Sequence, residues 1–528
     1  MQSVREAAYQ VLLSRGVQRI YSNPGSTEVS FLADMPEEID FVLGLHEGSV
    51  VGMATGDALI SGKPAVALLH TTAGLGNAIG AIATARANGA PLVIIVGQQD
   101  RRHIISEPFL TGYLSGLGGD YPLEVHEPAR AKDLPSLIAR AFIDAQMGRG
   151  PVLVIAPMDD WDEEIAEDAD LVTPTVFLQP TLQAHDAPAQ IVDAIDGASS
   201  PVIVVGSRVV TEEERNLIEE LADDLQCPVW QESHASRAGF DQRNPRFAGH
   251  LPAHRSVLRE TLSSHDVVIV IGGIAFRQYL FAEGAFVNPG TCVIVVNDSV
   301  DEVARSQADF AYFAPITAAL GSLLSALKPN KGSTTVERKQ PVVSVSSRAD
   351  SLHPSQVFAA IASRDIPNLT LIEESPSTRS DLINMVPVRD SIGFFTPAMG
   401  GLGFALPAAT GMALARPDRT VIAVVGDGAS LYNIQALWSA QTYSANVVFI
   451  IMNNGRYAVM DRLASMRKSK PAWPAFTDIS ITGLAHSFGC PAERITSLEQ
   501  FEAALDAAVA RSGVPGPPIV LDVDVDVT

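Results

Sequence analysis

Short, continuous apolar runs recur along this chain, each closed by a Gly- or Asn-containing turn and followed by a helical stretch. The clearest are Val66–His70, Pro91–Gly97, Pro151–Ala156, Pro201–Gly206, Asp266–Gly272, Cys292–Asn297, Thr420–Gly426 and Val447–Asn453. Continuous rather than alternating hydrophobicity predicts strands buried on both faces. With helical segments between them, it predicts parallel, doubly wound α/β sheets. The pattern lapses twice. Met158–Asp186 carries the acidic run DDWDEEIAEDAD, and Pro329–Arg348 is polar without periodicity. Such lapses mark linkers, so three α/β domains are expected, over 1–160, 188–325 and 350–528. The opening residues, MQSVREAAYQVLLSRG, predict an amphipathic helix interrupted by Arg5 and Glu6.

The first and third domains read as copies of one another. At a shift of 355 residues, Ala54–Leu59 (ATGDAL) falls on Ala409–Leu414 (ATGMAL), with five of six residues identical. The same shift over Gly48–Asp100 gives 13 identities in 53 positions without a gap. It also sets Val66 on Val421, strand start on strand start. A duplication of this length predicts two related domains that can share a site.

Composition narrows the picture. A length of 528 residues suits three domains, and 47% apolar against 18% charged residues is the balance of a packed globular chain. The formal net charge of −23 argues against nucleic acid or an anionic membrane surface as a partner. A small anion can still bind, because backbone dipoles act locally. Cys227, Cys292 and Cys490 are too few and too scattered for a disulfide framework or a zinc site. Neither a signal-peptide pattern nor a membrane-length apolar run is present. The expectation is a soluble, cytoplasmic protein.

Candidate chemistry gathers at strand ends. Gly426-Asp427-Gly428 follows one buried strand and Asn453-Asn454-Gly455 the next. Open α/β sheets bind ligands beyond the carboxyl ends of their strands. Asp427 offers a hard carboxylate oxygen and Asn454 a neutral one. With a nearby backbone carbonyl they make the protein share of a magnesium site that also takes phosphate oxygens. Gly428-Ala429-Ser430 opens the following helix, where small residues let a diphosphate approach main-chain N–H groups.

These motifs resemble those of thiamine-diphosphate-dependent enzymes, and the similarity runs through all three domains. It is strongest to the benzoylformate decarboxylase family, in Ser22–Ser26 (SNPGS), Leu45–Val50 (LHEGSV), His70–Ala78 (HTTAGLGNA), Met399–Pro407 (MGGLGFALP), Gly426–Ser430 (GDGAS) and Ile451–Gly455 (IMNNG). The resemblance implies thiamine diphosphate and Mg²⁺ as cofactors, with Asp427, Asn454 and Arg456 (through its main chain) as the metal's protein ligands. It implies catalytic roles for Glu47, His70 and Ser26. Glu47 would hydrogen-bond the aminopyrimidine and promote loss of the thiazolium proton. His70 would be an acid/base suited to neutral pH, and Ser26 would lie near the substrate carboxylate. Asn23, Pro24 and Gly25 would contact the cofactor on the Glu47 side. Ser377, Gly401, Leu402, Tyr457 and the Gly426–Ser430 turn (Gly426, Gly428, Ala429, Ser430) would hold it on the other, with Leu402 supporting it from beneath. The 355-residue shift independently sets Glu47 opposite Leu402.

The sequence also departs from that family. Its second catalytic histidine follows a Phe-Arg pair, whereas here Phe276-Arg277 continues Gln278-Tyr279-Leu280-Phe281. Tyr279, the nearest polar candidate, is a poor neutral-pH acid if its phenol is unperturbed. The substrate wall after Asn453-Asn454-Gly455 is aliphatic, with Val459 and Met460, and Thr396-Pro397 replaces an aromatic-bearing pair. The expected reaction is non-oxidative decarboxylation of a small-molecule 2-keto acid, benzoylformate-like, to an aldehyde. The alternative is a carboligase or lyase in the acetolactate-synthase manner. The resemblance further implies an obligatory homodimer, with a homotetramer as the expected assembly. A dinucleotide dehydrogenase is disfavoured, since no G-x-G-x-x-G with a following acidic residue stands where it is needed.

Overall fold

The computed structural model describes residues 1–166, 186–329 and 341–526. Most of the acidic linker and the start of the Pro329–Arg348 linker fall outside the described residues. Three six-stranded sheets form, and every pairing within them is parallel. The eight predicted strands all form, with ends shifted by a residue or so. Val267–Ile271 and Leu92–Gln98, for example, are buried along their whole length.

The duplication is visible in topology. Numbering strands within each domain, the first and third sheets both run 2-1-3-4-6-5. Strands Ala65–His70 and Leu92–Gln98 begin 355 residues before Thr420–Gly426 and Val447–Asn453. The two domains meet through copied helices, Glu47–Ser61 and Ala405–Ala415. A Cβ on Gly56 would come within 2.0 Å of the Ala408 carbonyl oxygen, and one on Gly411 within 1.9 Å of the Met53 oxygen. Gly411 is Gly56 plus 355, and Ala408 is Met53 plus 355, so the crossing follows an approximate two-fold axis. The shared ATG motif is explained by that crossing, which only glycine permits at such separation.

The central sheet differs, running 3-2-1-4-5-6. That is the strand order of dinucleotide-binding folds, without their glycine fingerprint. Its Ser236–Arg237 segment is stitched to the third domain. Thr396 N–H donates to the Ser236 carbonyl at 3.1 Å, and the Arg237 guanidinium lies 4.9 Å from the Phe395 ring centre.

Two expectations need correction. The pattern lapse does not leave 158–165 as a linker. Trp161 is buried against Phe31, ring centres 4.5 Å apart. Asp160 is buried because Arg101 meets both its oxygens at 2.7 Å. An acidic run is not a solvated run when its carboxylates have partners. Nor do Arg5 and Glu6 interrupt the first helix, Val4–Ser14. Glu6 closes a capping box with Ser3, and Arg5 reaches across to the Ser30 carbonyl.

Candidate active site

The first half of the site lies at the carboxyl end of the first sheet. Strand Arg19–Asn23 delivers Asn23, Pro24, Gly25 and the exposed Ser26. Strand Ala65–His70 delivers His70, whose Nδ1 stands 3.0 Å from both Glu28 Oε2 and Thr27 Oγ1. The Glu28 side chain is fully buried and also accepts the Gly25 N–H at 2.7 Å. A buried carboxylate on Nδ1 fixes the imidazole's orientation and leaves Nε2 for chemistry. Glycines make room for this pair. A Cβ on Gly25 would sit 2.4 Å from the His70 ring, and one on Gly97 1.7 Å from Glu28.

Glu47 is the first residue of its helix and only 8% exposed. His46 caps that helix by accepting the Gly48 N–H at 3.0 Å, and Asn77 Nδ2 donates to Glu47 Oε2 at 3.0 Å. The helix N-terminus and one amide therefore hold the carboxylate while its other oxygen is left available.

The second half is a cleft of about 530 Å³ at the carboxyl end of the third sheet. Ser377, Leu402, Gly426, Asp427, Gly428, Ala429, Asn454, Arg456 and Tyr457 all line it. Gly401 and Ser430 do not. The Ser430 hydroxyl is buried and donates to the Asp427 carbonyl at 2.7 Å, which keeps it out of the cleft. The two asparagines divide their work. Asn453 donates to Asp522 at 2.9 Å, whereas Asn454 faces the cleft. Burial pushes the Asp427 carboxyl up to about 6, opposed by N–H groups of Gly428, Gly455 and Asn454. A desolvated carboxylate beside a neutral amide oxygen is the donor chemistry a divalent cation satisfies. The turn is shaped to match. A Cβ on Gly428 would meet the Tyr457 ring at 2.5 Å, so the main chain stays bare for a phosphate.

Several residues of the site escaped the sequence. Glu374 is buried and accepts N–H bonds from Gly403, Phe404 and Ala405 at 2.6, 2.8 and 2.5 Å. It thereby seats the turn that follows Leu402. Burial drives it up to about 8 against those donors. Glu28 had one signal, its i+3 spacing from Gly25, and Glu374 had only its place at a strand end. His234 arrives from the central domain, and Val459, Met460, Thr396 and Pro397 line the cleft as well. Tyr279 lines the cleft but is 69% exposed.

Comparison with known proteins agrees with this layout. Residues 2–114 match the thiamine pyrophosphate enzyme N-terminal TPP binding domain, 189–323 its central domain and 380–523 its C-terminal TPP binding domain. The chain belongs to the thiamine pyrophosphate enzyme family. It is 34% identical over 514 residues to the benzoylformate decarboxylase of Pseudomonas aeruginosa, covering 97% of each. The thiamine diphosphate-dependent 4-hydroxybenzoylformate decarboxylase of Rhodococcus jostii RHA1 superposes with a TM-score of 0.93 at 33% identity, covering all of both chains. The Haemophilus influenzae acetolactate synthase large subunit is more distant, 25% identical over 99% of this chain and 94% of its own. No helix among the described residues is long and apolar enough to cross a membrane.

Proposed function

We propose that this enzyme decarboxylates an aryl or bulky aliphatic 2-keto acid to the aldehyde, using thiamine diphosphate and Mg²⁺. The observation that carries this reading is one cleft that gathers Asp427, Asn454 and the bare Gly428 turn with an aliphatic wall, while Glu47 and the Glu28–His70 pair stand on the other half. Bound cofactor supplies the electron sink. The protein's part is to hold, orient and move protons. Asp427, Asn454 and the Arg456 main chain would take the metal, Leu402 would contact the cofactor, and Glu47 would handle the proton of the aminopyrimidine. His70 Nε2 serves substrate protons, Ser26 meets the carboxylate, and the apolar wall favours loss of a charged group.

Release of carbon dioxide from a panel of aromatic and aliphatic 2-keto acids tests the reading. Benzoylformate is expected among the turned-over members, and silence across the panel would refute it. His70→Ala should lower turnover about 100-fold while cofactor affinity changes little; unchanged turnover removes His70 from the mechanism. Asp427→Asn should raise the magnesium concentration for half-maximal activity by roughly 10- to 100-fold, read by titrating metal into the stripped protein.

The functional unit we infer is a dimer, and the expected larger assembly a tetramer. No residue of the first domain lines the 530 Å³ cleft, so a partner's Glu47 half would complete it. Ile105, Phe109 and Tyr113 stand exposed beyond strand Leu92–Gln98, as residues of an interface would. A carboligase is the second reading, favoured by the lack of histidine in Phe276–Phe281. Product analysis with and without an added acceptor aldehyde separates the two.

A further inference from the structure

Forming an aldehyde from a 2-keto acid anion consumes one proton. The C–C bond pair released with carbon dioxide ends as the new C–H bond, and a proton also passes on and off the oxygen of the reacting carbon. On the cleft half of the site the sequence offers no acid/base at the family's usual place. Gln278 holds no titratable proton, and Tyr279 is mostly exposed.

His234 stands in that cleft. It follows strand Val229–Gln231 by three residues, at the carboxyl end of the central sheet, and lines the cleft together with Leu402, Asp427, Asn454 and Met460. It is the histidine of that lining among the described residues. Its Nε2 is buried with no hydrogen-bond partner, an arrangement that is costly unless a ligand supplies one. The backbone beside it is pinned to the third domain. Arg379 donates to the Ala235 carbonyl at 3.4 Å, Thr396 to the Ser236 carbonyl at 3.1 Å, and Arg237 bridges Phe395. The backbone that carries His234 is thus held against Thr396 and Arg379, which line the same cleft. Burial, then the charges of Arg379 and Arg277, hold it below the usual histidine range. The neutral, proton-accepting form therefore prevails near pH 7. Glu232, two residues before His234, is buried with its Oε1 4.0 Å from Arg277 Nε.

We infer that His234 is the second proton-handling residue of the substrate pocket, its Nε2 meeting the oxygen on the substrate's reacting carbon. The inference rests on the decarboxylase reading above. Nε2 takes the proton from that oxygen and returns one to the carbon or to solvent, so the sum remains keto acid anion plus one proton giving aldehyde plus carbon dioxide. The central domain then contributes directly to chemistry, from a different segment than the one the family uses.

Two measurements test this. In His234→Gln, which keeps the size of the side chain, aldehyde formation should fall about 100-fold. The fall should be in kcat more than in KM, and His234→Ala should recover part of it with added imidazole. Independently of turnover, diethyl pyrocarbonate should label the His234 peptide of the cofactor-loaded enzyme, and mandelate, a 2-hydroxy acid that cannot be decarboxylated this way, should protect it. Wild-type kinetics in His234→Gln, or labelling that saturating mandelate leaves unchanged, would overturn the inference. If the wild-type enzyme releases no carbon dioxide from any keto acid while mandelate still protects His234, the decarboxylase reading fails and the placement of His234 stands.

Discussion

Replacing Glu47 by glutamine is expected to cut turnover by about 10³-fold with the fold intact. The side chain is 8% exposed at a helix start, and glutamine can still accept the Asn77 amide hydrogen that Glu47 receives at 3.0 Å. What glutamine cannot do is share a proton with an aminopyrimidine nitrogen. Exchange of the cofactor's thiazolium proton, followed by NMR after acid quench, should slow in parallel with turnover. The thermal transition should move little. Normal exchange in Glu47→Gln would refute the role, and a collapsed thermal transition would mean that the carboxylate is structural.

The second large effect is on stability. Gly411→Ala should destabilise the enzyme by about 3 kcal/mol or more, because the added Cβ lands 1.9 Å from the Met53 carbonyl oxygen and neither backbone can yield cheaply. Gly56→Ala should behave alike, its Cβ 2.0 Å from the Ala408 oxygen. Gly321→Ala is the control. That glycine lies within helix Ile316–Ala326 with nothing within 4 Å of its Cβ position, so alanine should stabilise by about 0.5–1 kcal/mol. Midpoints of denaturant unfolding for the three variants give the comparison. Equal effects at Gly411 and Gly321 would mean that the helix crossing is looser than described.

Legibility from sequence followed the range of the interaction. Buried strands of parallel sheets were readable because each needs an unbroken apolar run, as in Val267–Ile271 and Thr420–Gly426. That Asp427 and Asn454 face one cleft was readable because both follow the ends of such strands, and the duplication because both copies keep their spacing over Gly48–Asp100. Trp161 misled because its neighbours are acidic. Its burial depends on Phe31, and that of its neighbour Asp160 on Arg101, both far away in the chain.

The sequence by itself determined three α/β domains, two of them copies, and the turns that close their strands. Local composition suffices there, since strand burial and turn chemistry act within a few residues. Only the tertiary structure decided that Glu28 backs His70, that Glu374 seats the turn after Leu402, and that His234 enters the cleft from the central domain. Glu374 and His234 depend on contacts between segments separated by 29 residues or more, as in Gly403 to Glu374 and Arg379 to Ala235. A side chain's neighbours at such separations are set by how sheets pack and domains dock. No local pattern encodes them.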